Sequence, residues 1–447
     1  MIRDKKIFMF LLERVKEERN GWLTISLVNL CIVALIGLLL RGKILFSIPG
    51  IDFENLLHAH SHFAFAGWIT LCLLTLITYE ILPASYSLHI KYKLALILLL
   101  VSAVGMLCSF PVQGYGVVSI FFSTIFIFVS YYYTWIFLCD IFRARVDRSV
   151  RLLCTIALAS LVLSSVGPFT LAYIMATHSA KTFLYKDAIY TYLHLQYNGF
   201  FTLSVFALLF NYLTKLLSPD SLKQLNRFSI ILCASVLPTL CLSYLWHFAN
   251  PLIRAVAVIG CVFLILTVVQ FFAVIRSAQT AMRQIDLFSR RIGLLSMVAF
   301  VLKSIIQIGL IFPIVGNKVF GDRAMIIAYL HLVMLGFITL YLLAYLIHIE
   351  FLKSVRIAVR FSITIFAVAI IVNEAILTFQ GLSAMLMISS ALYPVLLWLA
   401  AIGLFAGAML IANNAISCLR LQRGKITMKV SGRIFTKQQV HERADKN

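Results

Sequence analysis

The chain has 447 residues, of which 62% are hydrophobic and 12% are charged, and its mean hydropathy is +0.98. This composition excludes a water-soluble domain and indicates a protein that crosses a membrane many times. The formal net charge of +21 does not indicate nucleic-acid binding, because the basic residues lie in short clusters between apolar segments. Such clusters are typical of the charge bias that orients membrane helices.

The 9 cysteines are scattered, nearly all of them inside apolar segments. No C-x-x-C pair and no C-x-x-C-H sequence occurs. The cysteines are therefore interpreted as small core residues, and not as a disulfide framework, an iron–sulfur site or a covalent haem attachment.

Twelve segments reach the length of about 20 apolar residues that a membrane helix needs. They are predicted at 22–40, 56–82, 94–112, 115–139, 152–176, 188–214, 228–248, 251–275, 292–315, 325–349, 361–381 and 385–416. The fold class predicted is an all-α polytopic membrane protein with one membrane domain over 21–417. Residues 1–20 are predicted to form an amphipathic helix on the cytoplasmic membrane surface, and 418–447 a basic cytoplasmic tail.

The orientation of the spans in the membrane is predicted from the connections that are rich in Lys and Arg. The connection between the fourth and fifth segments is an example, with Arg143, Arg145, Arg148 and Arg151. With twelve spans, all the basic connections and both termini lie on one side. The positive-inside rule makes that side cytoplasmic.

One motif occurs three times, beginning at His62, His194 and His331. Each copy reads His, four residues, Gly, aromatic, Phe or Ile, Thr, Leu, and the intervals are 132 and 137 residues. Near-equal spacing of so long a match indicates internal repeats. The motif opens segments 2, 6 and 10, so we predict three pseudo-repeats of four spans.

The repeated histidines are predicted to lie at one depth near the outer face. Each is six residues into its predicted span, or about 9 Å deep. His247 belongs to the same outer layer, and His58 shares a helical face with His62. A single buried histidine is usually explained by a hydrogen bond to the next helix. Several in one layer favour a metal or haem site instead.

Imidazole suits iron, copper and zinc. Two histidines on different helices can hold one haem from both faces, which leaves an iron fit for electron transfer. Three or more on one side of a cavity make a copper or non-haem iron site. The two arrangements can coexist in one protein.

These features resemble subunit I of the haem–copper oxidases and nitric oxide reductases, over essentially the whole chain. That family has twelve spans in a pseudo-threefold arrangement, with haems in the outer part of the membrane. The resemblance implies a low-spin haem b held between spans 2 and 10. Its ligands would be His331 and either His62, which the repeat favours, or His58.

The span 6 copy of the motif carries the closest local resemblance. The sequence from His194 to Asn198 and Gly199 is similar to the His-Leu-Trp-Val-Glu-Gly of nitric oxide reductases, whose histidine binds a non-haem metal. His247 falls where span 7 of the family supplies two adjacent histidines for that metal. The resemblance thus implies a copper or non-haem iron site at His194, His247 and Asn198.

At three positions this sequence lacks the metal or haem ligand that the family has at the second site. Tyr329 stands where the family has the histidine that binds high-spin haem, Trp246 precedes His247 in place of a histidine pair, and Asn198 replaces a glutamate. Tyrosine can ligate high-spin haem, so Tyr329 remains a candidate cofactor ligand. The low-spin site is kept, and reduction of oxygen or nitric oxide at the second site is left open.

Two charged residues lie deep inside predicted spans, Lys303 in span 9 and Glu374 in span 11. Neither is close enough to a span end to reach water easily. They form either a proton path to a buried site or a structural pair with each other.

The function predicted is a haem-binding electron-transfer protein, of the oxidoreductase class if it is an enzyme, in a bacterial inner membrane. Its electron donor would be a quinol or a cytochrome, and small accessory membrane subunits would accompany it. The alternative is a non-enzymatic, histidine-lined metal or gas sensor or transporter. Neither a quinone site nor a copper A motif is visible in the sequence.

Overall fold

The fold is that of a computed structural model, which describes residues 2–177, 182–247, 250–388 and 390–444. Within these ranges there is no strand, and 12 helices are long and apolar enough to cross a membrane. The prediction of an all-α polytopic membrane protein is confirmed. In chain order, spans 1 to 12 are Met9–Leu45, Phe53–Ile81, Ile90–Gln113, Val117–Arg143, Arg148–Ala176, Phe183–Leu213, Pro219–Tyr244, Pro251–Ser277, Leu287–Gly309, Arg323–His348, Ile357–Ala384 and Leu392–Gln422.

Spans 7 and 9 end earlier than predicted, in both cases near a proline, which disturbs regular helix. Span 7 contains Pro238, passes into a 3₁₀ turn at Cys241–Tyr244 and ends there, so that His247 follows the span. Span 9 ends at Gly309, and Pro313–Gly321 forms a separate short helix. The two other short helices of the described connections are Ala84–Ser87 and Gln279–Met282.

The first helix is continuous from Ile2 to Leu45, without a break at residue 20. Near that position Arg19 is buried and pairs with Glu80 of span 2. The Asn20 side chain donates a hydrogen bond to Gln422 Oε1 of span 12 at 2.7 Å. Span 1 thus packs against spans 2 and 12 from its first turns. The last helix likewise continues beyond span 12, to Ala444.

Spans 2, 6 and 10 form the inner layer of the bundle. In their apolar stretches 83%, 83% and 61% of the residues are buried, whereas the other nine spans have 33–50%. Trp68 Nε1 of span 2 donates to Thr339 Oγ1 of span 10 at 3.2 Å, and Asn211 of span 6 donates to the Glu80 carbonyl of span 2 at 2.9 Å. The three spans that open with the repeated motif therefore meet at the centre, which confirms three pseudo-repeats of four. The cytoplasmic side of the termini stays a prediction.

Each copy of the motif forms a π-helical segment, at Ala64–Thr70, Leu195–Phe201 and Leu332–Thr339. The motif threonine bonds the carbonyl five residues earlier in two copies. Thr202 Oγ1 donates to Tyr197 at 2.6 Å, and Thr339 Oγ1 donates to Met334 at 2.8 Å. The wider turn changes the helical phase just after the histidine, as π segments at functional sites often do.

The motif glycine of span 6 lies against span 5. A Cβ at Gly199 would be 2.4 Å from Ser160 Cβ, closer than real Cβ contacts come. At Gly336 of span 10, the nearest atoms to such a Cβ would be 3.4 Å away, which is an ordinary contact. Glycine thus permits close helix approach in the second copy of the motif.

Candidate functional site

The three histidines of span 2, at positions 58, 60 and 62, lie on two faces of the helix. Successive helical residues are about 100° apart, so residues four apart share a face and residues two apart lie on opposite faces. His58 and His62 share one face. The His62 ring stacks on Phe110 of span 3 with centroids 4.5 Å apart, and its Nε2 lies 3.2 Å from the Tyr115 hydroxyl. The His58 ring lies 4.6 Å from the Tyr115 ring. The two histidines predicted as haem ligands on span 2 thus contact span 3 and the connection after it.

Tyr115, which lies between spans 3 and 4, is a neutral phenol in this contact. Burial raises the pKa of its hydroxyl to about 12. A phenol can donate its hydrogen to the Nε2 lone pair of His62. This nitrogen of His62 is therefore already engaged.

His60 lies on the opposite face of span 2, towards spans 1 and 10. Its ring packs against Gly37 of span 1, where an added Cβ would be 3.2 Å from His60 Cε1. The ring is close enough to His331 and Arg41 to interact with them electrostatically. The Nδ1 of His60 is buried without a hydrogen-bond partner among the described residues. A buried nitrogen left unbonded is costly in a protein that has no ligand for it.

His331 of span 10 is held by its own helix. Its Nδ1 lies 2.9 Å from the carbonyl oxygen of Ile327, one turn earlier. Since a carbonyl only accepts, Nδ1 carries the hydrogen and the lone pair is on Nε2. A backbone bond of this kind fixes the orientation of a metal-ligating histidine and increases its basicity.

Arg41 lies beside this histidine pair, and Glu374 lies beside Arg41. Arg41, near the C-terminal end of span 1, interacts electrostatically with His331, with Glu374 of span 11 and with Arg323 at the start of span 10. Glu374 Oε1 accepts a hydrogen bond from the Asn373 side chain at 3.1 Å. The two deep charges predicted as an alternative pair, Glu374 and Lys303, thus have different partners.

Tyr329 faces span 6, away from the histidine pair. Its ring meets the Tyr197 ring edge to face, with centroids 5.8 Å apart. The Tyr329 hydroxyl is buried and interacts with that of Tyr197, but it lacks the geometry of a regular hydrogen bond with any described group. Tyr329 therefore stays a predicted cofactor ligand.

A second buried cluster joins spans 6, 7 and 9 and contains His194, Asn198 and Lys303, which are 1%, 6% and 2% exposed. Lys303 Nζ donates to Asn198 Oδ1 at 2.6 Å, and Asn198 Nδ2 donates to His194 Nδ1 at 3.2 Å. His194 Nε2 donates to the Val236 carbonyl at 2.8 Å. Both nitrogens of the imidazole are therefore bonded, which fixes its tautomer with the hydrogen on Nε2.

His247, the third residue of the predicted metal site, belongs to a different cluster. Its Nε2 lies 3.2 Å from Asp187 Oδ2, and its ring stacks on Phe183 with centroids 5.5 Å apart. Asp187 precedes His194 by seven residues, which is about 10 Å along a helix. The structure thus brings His194 and Asn198 together, and His247 to the outer end of the same span.

The two predicted cofactors differ in how well these residues fit them. His60 and His331 lie on different inner-layer helices, and among the described residues each has one nitrogen without a hydrogen bond, so they could hold a haem iron between them. His194 has no free lone pair, its amide neighbour is bonded to the Lys303 amino group, and the described residues hold no group of three His, Cys, Asp or Glu that could bind a metal ion. This arrangement does not fit a copper or non-haem iron ion, and that site stays a prediction.

Comparison with protein families and with curated proteins finds no match to this sequence. The relation to haem–copper oxidases and nitric oxide reductases therefore depends on the motifs alone.

His60 is a candidate residue that the repeated motif does not single out. The repeat aligned His62 with His194 and His331, and this favoured His62 as the ligand. The π-helical segment begins immediately after His194 and His331 but two residues after His62, so the first copy has a different phase. The signal that was present in the sequence is the alternation of His58, His60 and His62, which places one of the three on the other face of the helix.

Proposed function

We propose that the protein binds a b-type haem between spans 2 and 10, which His60 and His331 would hold and which would supply electron transfer. The observation that carries the proposal is the pair of partly buried imidazoles on inner-layer helices, each with one nitrogen that has no hydrogen bond among the described residues. Such a nitrogen is what a haem iron requires of a histidine.

The neighbouring residues support this role. The Ile327 carbonyl holds His331 with Nε2 unprotonated, and Gly37 leaves room for the His60 ring beside span 1. Arg41 and Arg323 supply positive charge near the pair, which suits the two carboxylates of a haem. When bound, haem with two histidine ligands supplies one-electron redox chemistry.

Electron transfer is proposed here rather than reduction of oxygen or nitric oxide. Reduction would take place at a second metal held by His194, and both ring nitrogens of His194 are engaged in hydrogen bonds of the second cluster. The family resemblance extends the proposal to a quinol or a small cytochrome as the electron donor, small accessory subunits and a bacterial inner membrane. The competing proposal is a metal or gas sensor or transporter without turnover. It would use the same histidines without a haem.

The test is the reduced-minus-oxidised absorption spectrum of the purified protein, compared between His60→Ala and His62→Ala. These variants remove the same side chain from the same helix, two residues apart. We expect a sharp α-band in the wild-type protein and in His62→Ala, and none in His60→Ala. A colourless wild-type protein would refute haem binding, and loss of the band in His62→Ala alone would identify His62 as the ligand instead.

A further inference from the structure

A cavity of about 480 Å³ opens between spans 6, 8, 9 and 10, and His348 at the end of span 10 is among its lining residues. It is separate from the clusters of His60, His194 and His331, none of which lines it. It lies at the ends of these spans that are joined by the basic connections. Its walls are mainly apolar and aromatic side chains, among them Leu209, Ile275, Met297, Tyr341 and Tyr345. Leu294, also in the wall, is 61% exposed on the bundle surface. The cavity is therefore open to the membrane.

Three arginines also line this cavity, Arg283, Arg290 and Arg291. Among the described residues, none of the three has an acidic side chain within salt-bridge distance. The one acid of their connection, Asp286, caps span 9 instead. Its Oδ2 accepts from the backbone nitrogens of Phe288 at 3.0 Å and Ser289 at 3.1 Å. The rim of the cavity thus carries unbalanced positive charge.

A buried polar group lies in the wall below the arginines. Tyr341 lines the cavity and is only 5% exposed. Its hydroxyl is buried and has no hydrogen-bond partner among the described residues. A hydroxyl buried in this way requires an acceptor. The cavity therefore offers cations at its mouth, a hydroxyl below them and apolar walls beyond.

We propose that this cavity binds one anionic phospholipid, with its phosphate at the three arginines and an acyl chain along the apolar wall. Guanidinium groups bind phosphate with two parallel hydrogen bonds. The Tyr341 hydroxyl can donate to an ester carbonyl of the lipid. A soluble phosphate compound would leave the apolar wall uncovered, and a zwitterionic lipid would leave the arginine charge unbalanced. Basic pockets between spans on the cytoplasmic side recognise anionic headgroups in this way.

The test is native mass spectrometry of the full chain in mild detergent, with phosphatidylglycerol or phosphatidylcholine added. The variant replaces Arg283, Arg290 and Arg291 by Gln. The matched control replaces Arg143, Arg145 and Arg148 by Gln, which removes the same charge from another connection on the same side of the membrane. We expect one phosphatidylglycerol on the wild-type and control proteins, and binding about a hundredfold weaker in the variant, since each basic residue contributes roughly fivefold.

Gly293→Met tests the cavity without changing its charge. Gly293 lines the cavity, and only Ala344 Cβ lies within 4 Å of an added Cβ, at 3.7 Å. The longer side chain should fill the space of the acyl chain and displace the lipid. The proposal is overturned if phosphatidylcholine binds the wild-type protein as well as phosphatidylglycerol, if the two triple variants lose the lipid equally, if Gly293→Met retains it, or if inorganic phosphate displaces it. Haem content is measured on the same samples, so that this result stands apart from the haem proposal.

Discussion

The two histidine-containing regions of the inner layer differ in what their ring nitrogens bond. Between spans 2 and 10, His60 and His331 each keep one nitrogen that has no hydrogen bond among the described residues. In the cluster on span 6, both nitrogens of His194 are bonded, and Lys303 donates to the Asn198 side chain. The motif histidine therefore has different hydrogen bonds in its span 10 copy, His331, and in its span 6 copy, His194. In one region imidazoles are available to a ligand, and in the other an imidazole is part of a closed hydrogen-bond network.

The largest expected effect separates the two regions by haem content. His331→Ala removes one proposed axial ligand and should abolish the α-band of the reduced protein. His194→Ala, in the closed network, should retain the band and the full haem-to-protein ratio, measured as the pyridine haemochrome. If His194→Ala loses haem while His331→Ala keeps it, the assignment of the two regions is reversed.

The next effect concerns the stability of the closed network. Asn198→Leu leaves two buried groups without their partner, the Lys303 amino group and His194 Nδ1, and should lower the free energy of unfolding by about 2–6 kcal/mol. Lys303→Met leaves only the Asn198 carbonyl unbonded, which should cost about 1–3 kcal/mol. Thermal unfolding in detergent measures both.

The double variant of Asn198→Leu with Lys303→Met is the control for this pair. It should be more stable than Asn198→Leu alone, because the Lys303 amino group is no longer present without an acceptor. Equal unfolding temperatures for Asn198→Leu and Lys303→Met would show that the Lys303 amino group does not depend on Asn198.

A smaller effect is expected at the motif glycines. Gly199→Ala forces Ser160 of span 5 away and should cost about 1–3 kcal/mol. Gly336→Ala meets only ordinary contacts and should change the stability by less than about 1 kcal/mol. The same unfolding measurement compares them. A larger loss in Gly336→Ala would contradict the close approach assigned to span 6.

The smallest effect is electrostatic. Arg41→Gln removes a positive charge beside His60 and His331, so the oxidised iron becomes relatively more stable and the midpoint potential should fall by tens of millivolts. Arg143→Gln, in a connection on the opposite side of the bundle, should leave the potential unchanged. A redox titration followed at the α-band measures both, and an unchanged potential in Arg41→Gln would separate Arg41 from the haem.

The sequence predicted the twelve spans and their threefold grouping because both are written in hydropathy and in one repeated motif. It predicted less well which side chains meet. The choice between His60 and His62 depends on helical phase, and nothing in the sequence indicates where a π-helical segment begins. The bond between Lys303 and Asn198 joins residues 105 positions apart, and no local pattern records such a contact.

The π-helical segments also have a consequence for how such a protein can change. A π turn holds about one residue more than an α turn, so deleting a residue from 64–70 would let that stretch return to α-helix. The parts of span 2 before and after the deletion would then keep their relative orientation, because the π turn and the α turn each complete one revolution. A single codon lost in this stretch could therefore shorten the helix by one residue, while His60 still faced span 10 and every residue below Thr70 kept its neighbours.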